Sequence, residues 1–244
     1  MIKDNFPPAK SVALLLDPDK AYGKGLEDIL RTASECKTDY IFAGGSITFN
    51  SIDSLIDSVK KQCSLPVILF PGNLLQLSRK ADAILLLSLI SGRNPELLIG
   101  NHVIAAPFLR DLRDRLISVG YILVGSGKRT SVEYISQTES IPADKPDIVV
   151  ATALAGEMLG YHMIYLEAGS GAPSPVPPPV ISSVRENISI PLAIGGGLKS
   201  PQQILEAFSA GADLVILGNG CEKDPGLLKQ ACLIRDKIRN KLST

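Results

Sequence analysis

The chain has 244 residues, 45% of them hydrophobic and 20% charged, which is enough to bury the core of one barrel-sized α/β domain. Lys+Arg and Asp+Glu both total 25, tryptophan is absent and aromatic residues make up only 5%, so neither a basic surface nor a stacking platform for nucleic acid is present. Cys36, Cys63, Cys221 and Cys232 are scattered, with no CxxC pair and no nearby histidine. That pattern speaks against a zinc site or a disulfide framework and for free thiols in a reducing cytosol. Met1–Lys10 carries charges and prolines instead of an apolar signal core, and Ala83–Ile90 is too short to span a bilayer. A cytoplasmic protein without stable membrane insertion is expected.

In chain order, Ser11–Asp17 is apolar until it ends in a carboxylate and predicts a first strand. Continuous burial of such strands suits a parallel sheet covered by helices. Lys24–Lys37 has helical spacing through Leu26, Ile29, Leu30 and Ala33. Tyr40–Ala43 is the second strand, running into Gly44-Gly45-Ser46, and Ser51–Cys63 the second helix. Pro66–Phe70 is the third strand, but Leu74–Ala81 is too short for a covering helix, so the third unit is abbreviated. Ala83–Ser88 is the fourth strand, followed by a helix over Glu96–Ala106 and an ambiguous stretch at Pro107–Asp114. Gly120–Val124 is the fifth strand, followed by a polar loop at Gly125–Arg129 and a helix over Asp147–Leu159. Met163–Leu166, Pro191–Ile194 and Asp213–Leu217 are the last strands, alternating with helices at Pro179–Glu186, Pro201–Ser209 and Asp224–Lys241. Alternation without a linker or fixed-period repeat predicts one TIM-type (β/α)8 barrel over residues 1–244, with its third helix missing or abbreviated.

Polar residues at strand C-terminal ends face the mouth of such a barrel. Tyr165-Leu-Glu-Ala-Gly-Ser-Gly171 leaves an apolar strand, presents Glu167, and opens into a backbone nearly free of side chains. Gly195–Gly197 and Gly218–Gly220 follow the next two strands. Small residues at three successive strand ends let backbone N–H groups converge on one anion, which points to a phosphorylated small molecule. Asn219 can donate a further hydrogen bond to it. Glu167 can accept a proton from a substrate hydroxyl or stabilise a developing cation; the other reading is a salt-bridged barrel-layer acid. Asp17 is a hard-oxygen ligand fit for Mg²⁺, or alternatively the acceptor of an Asx-turn or helix cap. Ser46 offers a second oxygen, or belongs to a tight turn. Lys199 reads as a solvated residue at a helix start, and His102 and His162 as non-catalytic. Arg93 and Asn94 can hold an anionic head group or form a helix-entry turn. The prolines of Ser174–Pro179 read best as a stiff loop closing over the site.

Leu16-Asp-Pro-Asp-Lys20, Ala43-Gly-Gly-Ser46, Leu69-Phe-Pro-Gly-Asn73, Tyr165–Gly171, Gly195-Gly-Gly-Leu198 and Leu217-Gly-Asn219 occur in this order along nearly the whole chain. Together they resemble geranylgeranylglyceryl phosphate synthases. The resemblance implies a prenyltransferase that joins the sn-3 hydroxyl of sn-glycerol 1-phosphate to C1 of geranylgeranyl diphosphate. It implies Mg²⁺ as cofactor, a barrel lacking its third helix, and a homo-oligomer. It implies Asp17 and Ser46 at the metal, and Tyr165, Leu166, Glu167, Ala168, Gly169, Ser170, Gly171, Gly196, Gly197, Gly218 and Asn219 around the glycerol phosphate. Glu167 is then the residue that orients and helps deprotonate the acceptor. Related heptaprenylglyceryl phosphate synthases carry a lysine where Leu15 stands and a shorter glycine loop after the glutamate, so the geranylgeranyl branch is favoured. The competing readings are the heptaprenyl branch, another phosphate-binding barrel isomerase or lyase, and a non-catalytic phosphate- or lipid-binding barrel.

Overall fold

The computed structural model describes residues 2, 6–125 and 129–242. Eight parallel strands form the wall of a barrel: β1 (Ser11–Leu16), β2 (Tyr40–Ala43), β3 (Val67–Leu69), β4 (Ala83–Leu89), β5 (Leu116–Gly125), β6 (Met163–Glu167), β7 (Leu192–Gly195) and β8 (Leu214–Leu217). The wall closes because β8 pairs with β1, Leu214 opposite Ser11, and β4 pairs with β5, Ile84 opposite Leu116. A two-residue strand, Ile141–Pro142, extends β5 at its far end.

Strand alternation sorts the apolar residues into two layers. Ala13, Phe42, Ile68, Leu85, Val119, Tyr121, Tyr165, Ala193 and Ile216 fill the barrel interior. Val12, Leu14, Ile41, Val67, Ile84, Ile122, Ile164, Leu166 and Val215 face outward under the helices. Phe6 packs on Tyr40 with ring centroids 4.9 Å apart, filling the end of the barrel where the strands begin.

The covering helices are α1 (Gly23–Glu35) and α2 (Ile52–Gln62), the latter capped by Ser51, whose side chain accepts the Ser54 N–H at 3.3 Å. Between β3 and β4 stands only a 3₁₀ turn, Leu74–Gln76, so the third helix is missing as expected. After β4 the expected helix opens as a π-helical turn at Glu96–Gly100 and continues as α3 (Asn101–Leu109). Pro107 lies inside its last turn instead of ending it, and the ambiguous stretch resolves into that turn plus a 3₁₀ segment, Arg110–Arg115. β5 is ten residues long and starts four positions before the expected Gly120. It is followed by an unanticipated short helix, α4 (Ser131–Ser136), and then α5 (Pro146–Met158). Of the expected polar loop, residues 126–128 lie outside the described residues. The last units bring α6 (Pro178–Asn187), α7 (Pro201–Ser209), a short α8 (Asn219–Lys223) and α9 (Pro225–Leu242). No helix among the described residues is long and apolar enough to cross a membrane.

Candidate active site

Glu167 is the last residue of β6 and, by alternation from Met163 and Tyr165, points into the mouth of the barrel. It is only 7% exposed. Its Oε1 accepts the Gly169 N–H at 2.7 Å, and the Tyr165 hydroxyl donates to the same carboxylate. Burial raises its pKa above the usual carboxylate range, and these two hydrogen bonds only partly oppose that shift. Among the described residues Glu167 makes no ion pair. Burial, then the Glu167 charge, pushes the Tyr165 and Tyr121 hydroxyls well above the ordinary tyrosine value.

The neighbouring strand end is glycine for a steric reason. A Cβ on Gly195 would lie 2.0 Å from the Tyr165 hydroxyl, and one on Gly196, whose φ is +76°, would lie 2.3 Å from Glu167 Oε1. Any side chain there would displace the acid.

A cavity of about 620 Å³ occupies the mouth. Its wall includes Asp17, Ser46, Tyr165, Glu167, Ser170, Gly171, Gly196, Gly197, Gly218 and Asn219, so loops distant in sequence meet there as the glycine clusters suggested. Leu166 and Ala168 do not reach it; both are buried in the outer layer, because alternate strand residues face opposite ways. Gly169 contributes its N–H to Glu167 and lies outside the cavity wall. Asp17 Oδ1 accepts the Asp19 N–H at 3.0 Å, the Asx-turn of the alternative reading, while Oδ2 faces Lys20 Nζ at 3.4 Å. Lys20 also donates to Asn219 Oδ1 at 3.1 Å, and Asn219 Nδ2 to Ser170 Oγ at 3.0 Å. A polar chain therefore crosses the mouth from the β1 loop through the β8 loop to the β6 loop.

Lys199 is not merely solvated: its Nζ donates to the Ala172 carbonyl at 2.6 Å and the Pro173 carbonyl at 3.3 Å, tying down the loop after Gly171. A Cβ on Gly197 would lie 2.4 Å from Ser174 O, so the start of the proline-rich segment packs against this strand end before α6, although none of residues 174–179 lines the cavity. Arg93 donates to the carbonyls of Ile90 and Gly92, and Asn94 accepts the Glu96 N–H. Both serve the helix-entry turn, and neither lines the mouth cavity. His102 is bonded to Leu87 O and His162 to Ser118 at the barrel's other end, and neither lines the mouth cavity. Among the described residues, the cations that line the mouth are Lys20, Lys199 and Arg129, the last with its guanidinium over the Tyr134 ring.

A second cavity of about 280 Å³ continues from the first and shares Gly45, Ser46, Phe70, Tyr121, Val132 and Ile135 with it. It occupies the space beside the short β3–β4 connection, walled by Leu74, Leu77, Leu86, Leu97 and Ala105. Phe70, Tyr121 and Tyr165 form an aromatic cluster where the two spaces meet, with centroids 5.0 Å apart for Tyr121–Tyr165 and 5.8 Å for Phe70–Tyr165. The arrangement combines a buried acid, a glycine-rich mouth and an apolar extension.

Residues 9–234 match the model of the PcrB family. A protein of Spirosoma linguale named geranylgeranylglyceryl phosphate synthase is 47% identical over 229 residues, 93% of this chain and 92% of that one. One of the same name from Korarchaeum cryptofilum is 40% identical, covering 94% of each chain. The crystal structure of (S)-3-O-geranylgeranylglyceryl phosphate synthase from Thermoplasma acidophilum, in complex with its substrate sn-glycerol-1-phosphate, superposes with a TM-score of 0.88 at 29% identity, covering 98% of this chain and 97% of that one.

Proposed function

Because the chain belongs to the PcrB family, with geranylgeranylglyceryl phosphate synthases among its relatives, we propose that it is a prenyltransferase. It joins the sn-3 hydroxyl of sn-glycerol 1-phosphate to C1 of geranylgeranyl diphosphate, forming an ether and releasing diphosphate. The observation that carries this reading is the buried Glu167 on the wall of a glycine-lined mouth that continues into an apolar cavity.

The phosphate of the acceptor sits against the loops of Gly196, Gly197, Gly218, Asn219 and Ser170, where small residues leave backbone N–H groups accessible. That placement brings the glycerol toward Glu167, whose raised pKa suits removal of a hydroxyl proton as the hydroxyl attacks C1. The prenyl tail runs into the apolar extension. Phe70, Tyr121 and Tyr165 offer ring faces to positive charge developing at C1 and keep water away from it.

Among the described residues there is no cluster of three His, Cys, Asp or Glu side chains of the kind that cages a metal. A lone carboxylate and a hydroxyl still fit Mg²⁺, which keeps several waters and takes further oxygens from substrate phosphates. Asp17 and Ser46, both on the mouth wall, are the residues that would hold it. When bound, Mg²⁺ neutralises charge on the leaving diphosphate. The reading extends to a cytoplasmic homo-oligomer. Supporting the oligomer, α3 leaves Val103 and Ile104 exposed and α5 leaves Ile148 and Met158 exposed.

The test is an ether-forming assay with labelled sn-glycerol 1-phosphate and C15, C20 and C35 prenyl diphosphates, with and without a chelator. A dominant C20 product that disappears on chelation is expected. A dominant C35 product would move the chain to the heptaprenyl branch, and no product with any donor would remove the synthase reading.

A further inference from the structure

The loops after β2 and β3 carry two large apolar side chains almost wholly in solvent, Phe49 at 92% exposure and Leu75 at 95%. Neither is on loosely tethered backbone. The Asp19 carboxylate accepts the N–H of Phe49 at 2.9 Å and of Asn50 at 2.7 Å. Asn73 Oδ1 accepts the N–H of Leu75 at 2.9 Å. The buried Gln76 stitches the two loops together, accepting the Gly72 N–H at 3.0 Å and donating to Gly45 O at 2.7 Å. The loops touch so closely that a Cβ on Gly72 would lie 2.2 Å from Gly45 O. Phe49 and Leu75 are thus displayed on one rigid platform, and Ile47, Tyr134 and Ile135 add exposed apolar surface on the wall of the mouth cavity. Apolar side chains kept so fully in water mark a surface that meets a partner.

The position of the platform selects the partner. Gly45, Ser46, Gly72, Asn73 and Leu74 border the apolar cavity, so whatever covers Phe49 and Leu75 also faces the entrance for the substrate tail. A second copy or another folded protein seated there would close that entrance. A bilayer is fluid, accepts two apolar side chains into its acyl boundary, and is where a long prenyl diphosphate resides. We propose that Phe49 and Leu75 insert into a lipid surface and dock the mouth of the barrel on it, so that the prenyl donor passes from bilayer to cavity without crossing water. The donor's identity rests on the prenyltransferase reading above; the docking surface does not. The chain has a net charge of zero, and the Asp19 carboxylate at the platform is held by backbone N–H groups. Attachment rests on the two apolar side chains and does not call for an anionic lipid.

The test is co-sedimentation with phosphatidylcholine vesicles of the wild-type chain and of the double variant Phe49→Ser, Leu75→Ser, both checked for equal thermal midpoints. Neither residue lines either cavity, so the variant keeps its turnover with a water-soluble C10 prenyl diphosphate. The wild type is expected to partition onto vesicles with little dependence on salt, and the variant at least about tenfold less, the loss expected for two side chains no longer buried. With C20 donor presented in vesicles, the variant's rate falls in parallel. Equal vesicle binding by both, or none by the wild type, overturns the docking surface. So does a concentration-dependent mass increase that only the variant loses, which assigns the platform to a second copy. Turnover of the soluble donor without vesicle binding leaves the synthase reading standing and removes this one. Vesicle binding without ether product from any donor does the reverse.

Discussion

At the end of the barrel where the strands begin, Asp39, Asp82 and Asp213 accept the backbone N–H of Val12, Val67 and Leu192. Each is also paired with cations: Asp39 with Arg235 at 2.6 Å and Arg239 at 2.8 Å, Asp82 with Lys60 at 2.6 Å, and Asp213 with Arg185 at 3.0 Å. At the opposite end, Asp17 has the half-exposed Lys20 beside it and Glu167 has no ion-pair partner among the described residues; both are held by backbone N–H groups. Carboxylates thus do two jobs. Those paired with arginine or lysine where the strands begin fasten neighbouring strands together, whereas Glu167 at the mouth has no such pair among the described residues and is held by its own loop. Barrel enzymes in general separate stability and chemistry along the axis in this way.

Removing the mouth acid should break the comparison most visibly. Glu167→Gln keeps the shape and the Gly169 contact but not the base, so ether formation should fall about 10²–10⁴-fold, the usual contribution of a positioned proton acceptor. Its thermal midpoint should hold or rise at neutral pH, because burial already penalises the charged form. Steady-state rates and a melting curve on the same sample decide it; a rate within a few-fold of wild type would make Glu167 a structural residue.

The converse change belongs at the other end. Arg235 is 2% exposed and gathers Asp39, Asp236 and the carbonyls of Cys36 and Lys37. Arg235→Ala leaves Asp39 with Arg239 alone and should destabilise the fold by about 3–5 kcal/mol, as for other broken buried pairs. Turnover per folded molecule should not change, which denaturant unfolding and active-site-normalised rates at low temperature can show. A lost rate with intact stability would contradict the division between the two ends.

The sequence makes the stabilising architecture easier to read than the working surface. Continuous apolar runs such as Val12–Leu16 and Leu214–Leu217 declare their strands, and the short Leu74–Ala81 connection declares the missing helix. The six-residue α4 offers too little periodicity to stand out, and Pro107 looks like a helix terminator although α3 runs through it. Lys20 and Lys199 owe their roles to partners that the fold alone brings near: Asn219 for one, the Ala172 carbonyl for the other. The outward direction of Leu166 and Ala168, by contrast, is available from strand alternation counted either way from Glu167.

The smallest effect is also the most direct measure of the difference between the ends, because it compares two glutamates. Glu157, in the last turn of α5, accepts the Ser189 hydroxyl and the N–H groups of Ser189 and Ile190 just before β7, and these hydrogen bonds lower its pKa. Glu167 moves the other way through burial. The signs for stability follow. The carboxylate with the lowered value contributes stability above its unfolded pKa and loses it as pH falls through its folded pKa. The carboxylic acid with the raised value is most favourable to the fold below its unfolded pKa, and that contribution is lost as pH rises through its folded pKa. The stability gap between Glu167→Gln and wild type should therefore open as pH rises above the ordinary glutamate range and level off beyond the folded pKa, while the gap for Glu157→Gln should close as pH falls below that range. Unfolding free energies across pH, with carboxyl ¹³C shifts for both residues, measure this. Parallel titration of the two acids would mean that backbone contact alone sets their behaviour and that burial at the mouth contributes nothing to the readiness of Glu167 to take a proton.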